Sequence, residues 1–532
     1  MPAATDRNQI RSEELQEFPI TGPFGGVQSE LPLDQIEQFG FADTSNFLFR
    51  KGVAYCRPSF TALAPFPAPV NEPVLGIADF YNTLGVRVQT VLTPSRLLMW
   101  NGSGWTQITG PPFTGTLSQT FSWAVVGNKL CFSQGADQIW YWNGLSGSYL
   151  QTSASAPAAF ALSEIDLHLV ALNTIEIGTQ YTQRYHWSGA GDPTDWTSFN
   201  SGINDNLNDL GPGLGIIKLG QYGYGFHQWG IIQIQPTGNG LAPFYFTPIA
   251  NCNMGNIAIR SLDHFNRDGV ECSIYVGKDN VYVFNQSSVI PIGDSPLDGR
   301  RRLGARSRIF ADLIAGVPQS AFGFVTQSIN GQVFNAYWLI IPGIRTWVYN
   351  FDENNWTPFN YTGTQTVAGL FFKQQGIRIM DLVGQILGQS WSPATLNPIN
   401  PFDGFALGFN DGTVGYVDFT NYSEQPCSIT SGKHIFGDRR HKHTVKFFRL
   451  VVQDQGSATY TITVSNNIGY SETQTVTLGS GSGDSISTVL GFNVQGLRIQ
   501  WSCSVPAGQP GAVIEFAPIY DTSGEQRGGM ID

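Results

Sequence analysis

The chain has 532 residues, enough to bury a large hydrophobic core and to form more than one domain. Only 13% of the residues are charged, whereas 61 are glycine and 13% are aromatic, which favours many short strands and tight turns over long solvated helices or disorder. The formal net charge of −11 makes tight binding to a nucleic-acid backbone a poor hypothesis, although an acidic passage along which DNA slides stays compatible with it.

The first 65 residues predict an extended arm over the surface. Their opening, MPAATDRNQIRSEELQEF, has no apolar stretch of the kind found in signal peptides, and no run in the chain approaches the 18 apolar residues of a membrane span. Leu33 to Phe39 has room for one or two helical turns. Proline and glycine punctuate the rest of the arm at Pro19, Gly22, Pro23, Gly25, Gly26 and Pro32.

A loose repeat follows the arm, in which a strand ends in an aromatic cluster and a turn of Gly, Asn or Asp comes next. Its clearest copies are LLMWNGSGW from Leu97, IWYWNGLSGSYL from Ile139 and YHWSGAGDPTDW from Tyr185. The steps between Trp100, Trp142, Trp187 and Trp229 are 42, 45 and 42 residues, and they then lengthen to 55 at Phe284 and 65 at Tyr349.

A period near 40 to 45 residues is typical of a four-stranded propeller blade. We therefore expect an all-β protein with a β-propeller over residues 66–426, of six to eight blades with seven favoured; a sandwich or barrel array is the alternative. The pairs Asn101-Gly102, Asn143-Gly144, Asn330-Gly331 and Asp411-Gly412 predict type I′ hairpin turns. The residues expected to anchor the blades are Trp100, Trp142, Trp187, Trp196, Trp347 and Trp356.

Helical periodicity is scarce, and its clearest example lies beside a basic cluster. Ile309, Leu313 and Ile314 have helical spacing within 306–315. The cluster is the densest positive patch of the chain, a candidate contact for a subunit's carboxylates or for DNA, with an ordinary charged surface loop as the default. It consists of Arg300, Arg301, Arg302, Arg306 and Arg308.

From residue 427 the pattern changes to short strands with strict alternation. In the run Leu497 to Val505, every second residue is apolar, which predicts a strand with one buried and one solvated face. Glycine and serine turns, such as that from Gly479 to Gly483, separate the strands. We expect residues 427–532 to form a β-sandwich.

Sequence signatures of enzymes are mostly absent, so we expect no catalytic residues, no metal site and no cofactor. There is no HExxH, no G-x-S-x-G and no P-loop. The six cysteines lack any CxxC pair and are expected to be reduced and buried. Three weaker patterns are expected to be structural turns: the Asp-box-like SGAGDPTDW of 188–196, the calcium-loop-like Asp205 to Asp209, and the group His434, His441 and His443.

Three segments resemble the tail nozzle proteins of short-tailed bacteriophages, the distal tail-tube family that includes the DNA-stabilising tail-hub proteins. They are Phe24 to Phe60 (FGGVQSELPL…YCRPSF), a segment from Arg184 (RYHWSGAGDPTDWTSF) through the following hairpin to Gly240, and Asn330 to Phe359 (NGQVFNAYWLII…NNWTPF). Their order and spacing carry the resemblance. Asn350 stands where that family has Asp, and the C-terminal domain matches no named module.

The resemblance implies a structural virion protein in a homo-oligomeric ring, commonly of six copies, assembled in the host cytoplasm. Such a ring lies below the portal and a tail adaptor, guides or retains the DNA that passes through it, carries fibres or spikes, and does not itself insert into a membrane. Two other functions stay open. The first is a lectin-like propeller that binds a glycan or receptor through exposed rings such as Trp105, Trp140 and Trp196. The second is a spike that cleaves polysaccharide with two facing carboxylates.

Overall fold

The structure, a computed structural model, describes residues 15–68, 71–114, 121–145, 147–205, 209–250, 252–294, 304–326, 335–371, 404–436 and 442–521. In these residues the protein is nearly all β, with forty strands, one α-helix and one 3₁₀-helix at Pro318–Ser320. None of the helices in this part of the chain is long and apolar enough to cross a membrane. The all-β class predicted from the sequence is confirmed.

The N-terminal segment contributes six short strands to three different sheets. They are β1 (Leu15–Glu17), β2 (Ile20–Thr21), β3 (Phe41–Ser45), β4 (Phe47–Arg50), β5 (Val53–Cys56) and β6 (Pro58–Ala62). The structure differs here from the expected surface arm, because Phe24, Phe41 and Phe47 are fully buried. The aromatic residues of this segment supply apolar area that a surface arm would leave in water. Residues 33–36 form a turn instead of a helix.

Seven antiparallel sheets of four strands follow, and we number them sheet 1 to sheet 7. Sheet 1 contains β7 (Gly76–Tyr81), β8 (Arg87–Leu92), β9 (Leu97–Trp100) and β10 (Trp105–Ile108); sheet 2 contains β11 (Ser122–Val126), β12 (Lys129–Ser133), β13 (Trp140–Trp142) and β14 (Leu150–Gln151). Sheet 3 contains β15 (Ala158–Ile165), β16 (His168–Glu176), β17 (Thr179–Trp187) and β18 (Gly202–Asp205). Sheet 4 contains β19 (Gly213–Leu219), β20 (Tyr222–His227), β21 (Ile231–Pro236) and β22 (Phe244–Pro248).

The remaining three sheets repeat this order, with one insertion. Sheet 5 contains β23 (Asp263–Arg267), β24 (Val270–Val276), β25 (Val281–Phe284) and β26 (Val289–Pro291), and it is followed by helix α1 (Arg306–Ala315). Sheet 6 contains β27 (Phe322–Thr326), β28 (Ala336–Ile341), β29 (Arg345–Asn350) and β30 (Asn355–Phe359). Sheet 7 contains β31 (Gln365–Phe371), β32 (Gly404–Phe409) and β33 (Val414–Tyr422), and its fourth strand is the N-terminal β6. The helix has the bounds that the periodicity predicted, with Ile309 and Leu313 buried.

The seven sheets form a closed circle with their first strands innermost. Each first strand contacts the first strand of the next sheet, and β31 of sheet 7 contacts β7 of sheet 1. All seven first strands line one central cavity. The aromatic repeat of the sequence falls on third strands: Trp100, Trp142, Trp187, Phe284 and Tyr349 lie in β9, β13, β17, β25 and β29.

The turns within these sheets correct one prediction. Asn101, Asn143 and Asp411 have negative φ, and only the following glycines have positive φ, so these turns are not type I′. The Asn101 carboxamide instead accepts bonds from the backbone N–H groups of Ser103 and Gly104, at 3.1 and 2.9 Å, and holds a longer Asx turn. Asn330-Gly331 lies outside the described residues. Two consecutive positive φ angles, which a type I′ turn requires, occur where they were not predicted, for example at Gly127-Asn128 and Asp268-Gly269.

The C-terminal strands complete two larger sheets with one shared core. The strands are β34 (Cys427–Ser431), β35 (His443–Gln453), β36 (Ala458–Asn466), β37 (Ser471–Leu478), β38 (Ser485–Gly496), β39 (Ile499–Val505) and β40 (Ala512–Asp521). One sheet has the order β3-β34-β39-β36-β37, and the other has the order β38-β35-β40-β5-β4, with β1 and β2 also paired to β40. Trp501 of the first sheet stacks on Phe516 of the second, with ring centroids 4.4 Å apart. The predicted alternation holds, because buried and half-buried residues alternate along β39.

Candidate functional site

The circle of sheets surrounds a central cavity, which is a candidate functional site. Its volume is about 590 Å³, within the range of small-molecule sites. Apolar residues such as Trp123 and Phe324 form much of its wall. The charged and titratable residues that line it are Asp79, Glu164, Lys218, Arg260, Asp263, His264 and Glu271.

Two of the cavity carboxylates are held by cations of neighbouring strands. Asp79 accepts from Arg87, whose Nη2 lies 2.6 Å from its Oδ2. Glu164 accepts from Lys218 Nζ at 2.6 Å, and its other oxygen accepts from the backbone N–H of Leu167, also at 2.6 Å. These contacts tie both carboxylates to neighbouring strands or to their own turn.

The other two carboxylates accept from backbone donors and from a histidine. Asp263 accepts from Val325 N at 2.7 Å and from His264, whose Nδ1 lies 3.2 Å away. The hydrogen bond and charge of Asp263 raise the pKa of His264 against the opposing effect of burial. Glu271 accepts a short hydrogen bond from Gly220 N, which joins sheet 4 to sheet 5.

All four cavity carboxylates have partners within the chain. Asp79 and Glu164 contact cations, and Asp263 and Glu271 accept from backbone N–H groups. Within the described part of the chain there is also no group of three or more His, Cys, Asp or Glu residues placed to hold a metal ion.

The six tryptophans predicted as anchors are all buried, at 7% exposure or less. Among them, Trp347, Trp356 and Trp196 donate their indole N–H groups to acceptors within the chain. Trp347 donates to Asp312 Oδ2 of helix α1 at 2.8 Å, and Trp356 donates to Ile292 O at 2.8 Å, so both join sheet 6 to the segment around helix α1. Trp196 donates to Pro193 O at 2.9 Å.

The rings proposed to bind glycan are not available, which corrects that expectation. Trp105, Trp140 and Trp196 are 8%, 7% and 5% exposed. Trp105 packs edge-on against Phe66 and Trp100, and its polar N–H donates to Ala64 O at 2.9 Å. Large rings of this kind gain more by filling the space between sheets than by lying in water. Exposed rings lie elsewhere, for example at Phe199, Trp229 and Tyr245.

The arginine cluster is only partly described, because Arg300, Arg301 and Arg302 lie outside the described residues. Arg306 donates from Nε to Asp279 O at 2.7 Å. Arg308 donates from Nη1 to Asp43 Oδ1 at 2.7 Å, so helix α1 is tied to the N-terminal segment. These two guanidinium groups therefore have acceptors within the chain.

Two of the three weaker sequence patterns fall in a turn and an ion pair. The histidine group is not a turn: His443 begins β35 and is 2% exposed, and His434 is 8% exposed and forms a β-bridge with Ile499. Asp192 and Asp195 cap the turn of 188–196 by accepting from the backbone N–H groups of Thr194 and Thr197. Asp205 forms two bonds to Arg184, at 2.6 and 2.9 Å. Asn206, Asn208 and His441 lie outside the described residues.

A feature that sequence analysis missed is the buried guanidinium of Arg57, at the junction of the circle with the two larger sheets. It is 0% exposed, and its Nη2 lies 2.8 Å from Glu424 Oε1. It also donates to Asn46 Oδ1 at 3.1 Å and stacks over the Tyr361 ring at 3.7 Å. The sequence gives no periodic signal for these partners, because Asn46, Tyr361 and Glu424 lie far apart along the chain.

Comparison with known proteins identifies no family. No family model matches the chain, and no curated protein matches it. Among solved structures, an exo-β-1,3-galactanase from Phanerochaete chrysosporium is similar with a TM-score of 0.27 at 10% identity, over 84% of this chain and 100% of that one. A second structure of that enzyme, with galactose, gives a TM-score of 0.23 at 11% identity, over 94% and 100%.

A complex of BBS1N with ARL6DN gives a TM-score of 0.30 at 9% identity, over 54% of this chain and 76% of that one. Similarities this weak support no conclusion about activity, substrate or partner.

Proposed function

We propose that this chain is a non-catalytic structural protein, a seven-bladed β-propeller with a β-sandwich, that forms the distal nozzle ring of a short bacteriophage tail. The main support for a non-catalytic role is that the cavity carboxylates bind Arg87, Lys218 and backbone N–H donors of the chain itself. A closed circle of seven four-stranded sheets, with the chain's own β6 as the last strand, is the architecture expected of a propeller.

Support for the tail-nozzle role comes from two of the segments that resemble that family. The first, Phe24 to Phe60, and the third, Asn330 to Phe359, pack against each other. Val27 N donates to Trp356 O at 3.1 Å, and Asn355 Nδ2 donates to Phe24 O at 2.9 Å. Two segments that resemble the family in sequence are therefore in direct contact with each other in the fold.

The departure from the family at Asn350 has a local physical reason. Its Nδ2 donates to Phe49 O at 2.6 Å, and its Oδ1 accepts from Asp352 N at 2.9 Å. An ionised Asp could make only the second bond, since it has no donor. The substitution thus fits the contact between the N-terminal segment and sheet 6.

In this proposal the DNA passage lies between copies of the chain and not through the central cavity of one copy. Six chains of net charge −11 would together carry −66 and repel the duplex that passes between them.

The experiment is a mass measurement of the purified chain, alone and with the portal and adaptor proteins of its own particle. The proposal predicts either a ring, with a mass that is a multiple of the 58.2 kDa chain, or a stable complex with the adaptor. A chain that stays monomeric under all conditions and binds no adaptor would contradict it. Hydrolysis of a polysaccharide by the purified chain would contradict the non-catalytic part.

A second candidate, glycan or receptor binding, is favoured by the exposed rings of sheets 3 and 4. Phe199, Trp229 and Tyr245 are 73%, 49% and 61% exposed, and sugars stack on such rings. A glycan array with the wild-type chain and Trp229→Ala tests this function. Tight binding that is lost in the variant would favour it, and the absence of any bound glycan would leave the structural proposal.

A further inference from the structure

The circle of sheets is closed at one seam by two strands that lie far apart along the chain. In sheet 7, β6 pairs with β33, and Phe60 lies opposite Val417. No covalent bond of the backbone crosses this seam. The seam is therefore held by one strand ladder and by the side chains that pack around it.

Cys56 and Cys427 flank the two seam strands in the sequence, and both lie in the same buried core. Cys56 lies two residues before β6, and Cys427 lies five residues after β33. Both thiols are free and buried in the core shared by the two larger sheets, at 4% and 1% exposure. Asn46 ties their chain neighbours together, because Arg57 N donates to Asn46 O at 2.8 Å and Asn46 Nδ2 donates to Pro426 O at 2.8 Å. The Cys427 side chain also contributes to raising the pKa of Cys56, after burial.

The packing around the two thiols keeps them close. A Cβ added to Gly511 would lie 2.8 Å from Cys56 Sγ and 2.9 Å from a methyl group of Val505. Val505 is the direct cross-strand partner of Cys427. Cys56 and Cys427 thus belong to facing sheets and share the neighbour Val505. A side chain larger than glycine at position 511 would collide with the Cys56 sulfur.

A third buried thiol, Cys503, lies in the same core but in a different relation. It stands opposite Ile429, one diagonal step from Cys427 within the same sheet. Neighbouring side chains on one face of a sheet run side by side, so Cys427 and Cys503 are less well directed toward each other than two thiols from facing sheets.

We propose that Cys56 and Cys427 form an oxidation site, at which a disulfide closes the circle of seven sheets covalently. The proposal does not depend on the tail-nozzle function. The bond would enclose about 370 residues, and the stabilisation expected from a disulfide grows with the size of the loop that it closes. It would act when the protein moves from a reducing to an oxidising environment.

The reaction balances with a peroxide as the oxidant. The Cys56 thiolate attacks one peroxide oxygen, which gives a sulfenic acid at Cys56 and releases water after proton transfer. The Cys427 thiol then attacks the Cys56 sulfur, the S–S bond forms, and the sulfenic oxygen leaves as a second water. Burial raises the pKa of Cys56 well above its ordinary value, so the thiolate is scarce and the reaction is expected to be slow and faster at alkaline pH.

The test is oxidation of the folded full chain with hydrogen peroxide at pH 8.5, followed by unfolding, alkylation and non-reducing peptide mass spectrometry. We expect a Cys56–Cys427 cross-link, faster migration of the non-reduced chain in a denaturing gel, and alkylated thiols at Cys131, Cys252 and Cys272. We also expect slower amide exchange in β6 after oxidation, reversed by dithiothreitol.

Variants separate the proposed pair from general thiol oxidation. Cys427→Ser should abolish the mobility shift, whereas Cys131→Ser, at an equally buried thiol of sheet 2, should keep it. Either variant can also destabilise the fold. The cross-links found in the wild-type peptide map therefore decide whether the proposal holds. A Cys427–Cys503 cross-link, or alkylation of both Cys56 and Cys427 after prolonged oxidation, would overturn the proposal.

Discussion

Replacing Arg57 by methionine tests the junction between the circle of sheets and the two larger sheets. The guanidinium is fully buried, and it donates to Glu424 Oε1 at 2.8 Å and to Asn360 O at 2.5 Å. Burial alone would raise the pKa of Glu424, but the hydrogen bond and charge of Arg57 outweigh it and hold that pKa below its ordinary value. Methionine fills part of the volume but leaves the carboxylate without its cation.

Removing one partner of a buried ion pair costs about 3–5 kcal/mol of the free energy of unfolding. We expect Arg57→Met to lose about that much, and the double variant with Glu424→Gln to lose less than the two single changes together. Arg87→Met is the matched control: its ion pair with Asp79 is partly exposed, and it should cost at most about 1 kcal/mol.

Equilibrium urea unfolding followed by tryptophan fluorescence measures these differences, provided that the transition is treated as multi-step where the probes diverge. A loss below about 1 kcal/mol for Arg57→Met, equal to that of the control, would refute the role of this junction.

Two further predictions concern pH and packing. Burial lowers the pKa of His434 to about 4, below the unfolded value of about 6.5, so the unfolded chain takes up the proton first and stability is lost as pH falls from 6.5 toward 4. We expect this residue to account for about 2.5 kcal/mol between pH 7 and 4.5, and His434→Phe to flatten the urea midpoints over that interval; equal pH dependence in both proteins would contradict it. A Cβ at Gly225 would lie 1.9 Å from the Tyr185 hydroxyl, so Gly225→Ala should cost about 1–3 kcal/mol, whereas Gly491→Ala, with open space around it, should change thermal stability little.

The fold class and the aromatic repeat could be predicted from the sequence because both depend on local periodicity. Alternation along Leu497 to Val505 and the helical spacing of 306–315 are fixed by which side chains share a face, and both match β39 and helix α1. The aromatic repeat was found because third strands such as β9 and β13 end in tryptophan. Trp229 was counted in the repeat but is not part of a third strand. It lies before β21 and is 49% exposed.

Features that depend on distant pairing were not predictable from the sequence. The N-terminal segment, expected as a surface arm, pairs with strands about 400 residues later, for example Thr44 with Ile429. The hairpin turns were assigned from the Asn-Gly pair alone, whereas the Asn101 side chain bonds its own loop and changes the turn type. The partners of Arg57 are likewise brought together only by the closed circle.

We propose that the circle of seven sheets serves as a building block of a ring and not as a reactive pocket. Cryo-electron microscopy of the purified chain, alone and with the adaptor protein proposed as its partner, tests this most directly. We expect a ring of identical subunits, each with seven radial sheets, around a passage that lies between subunits. A density in which the chain is a peripheral monomer, or in which the duplex runs through the centre of a single subunit, would contradict it.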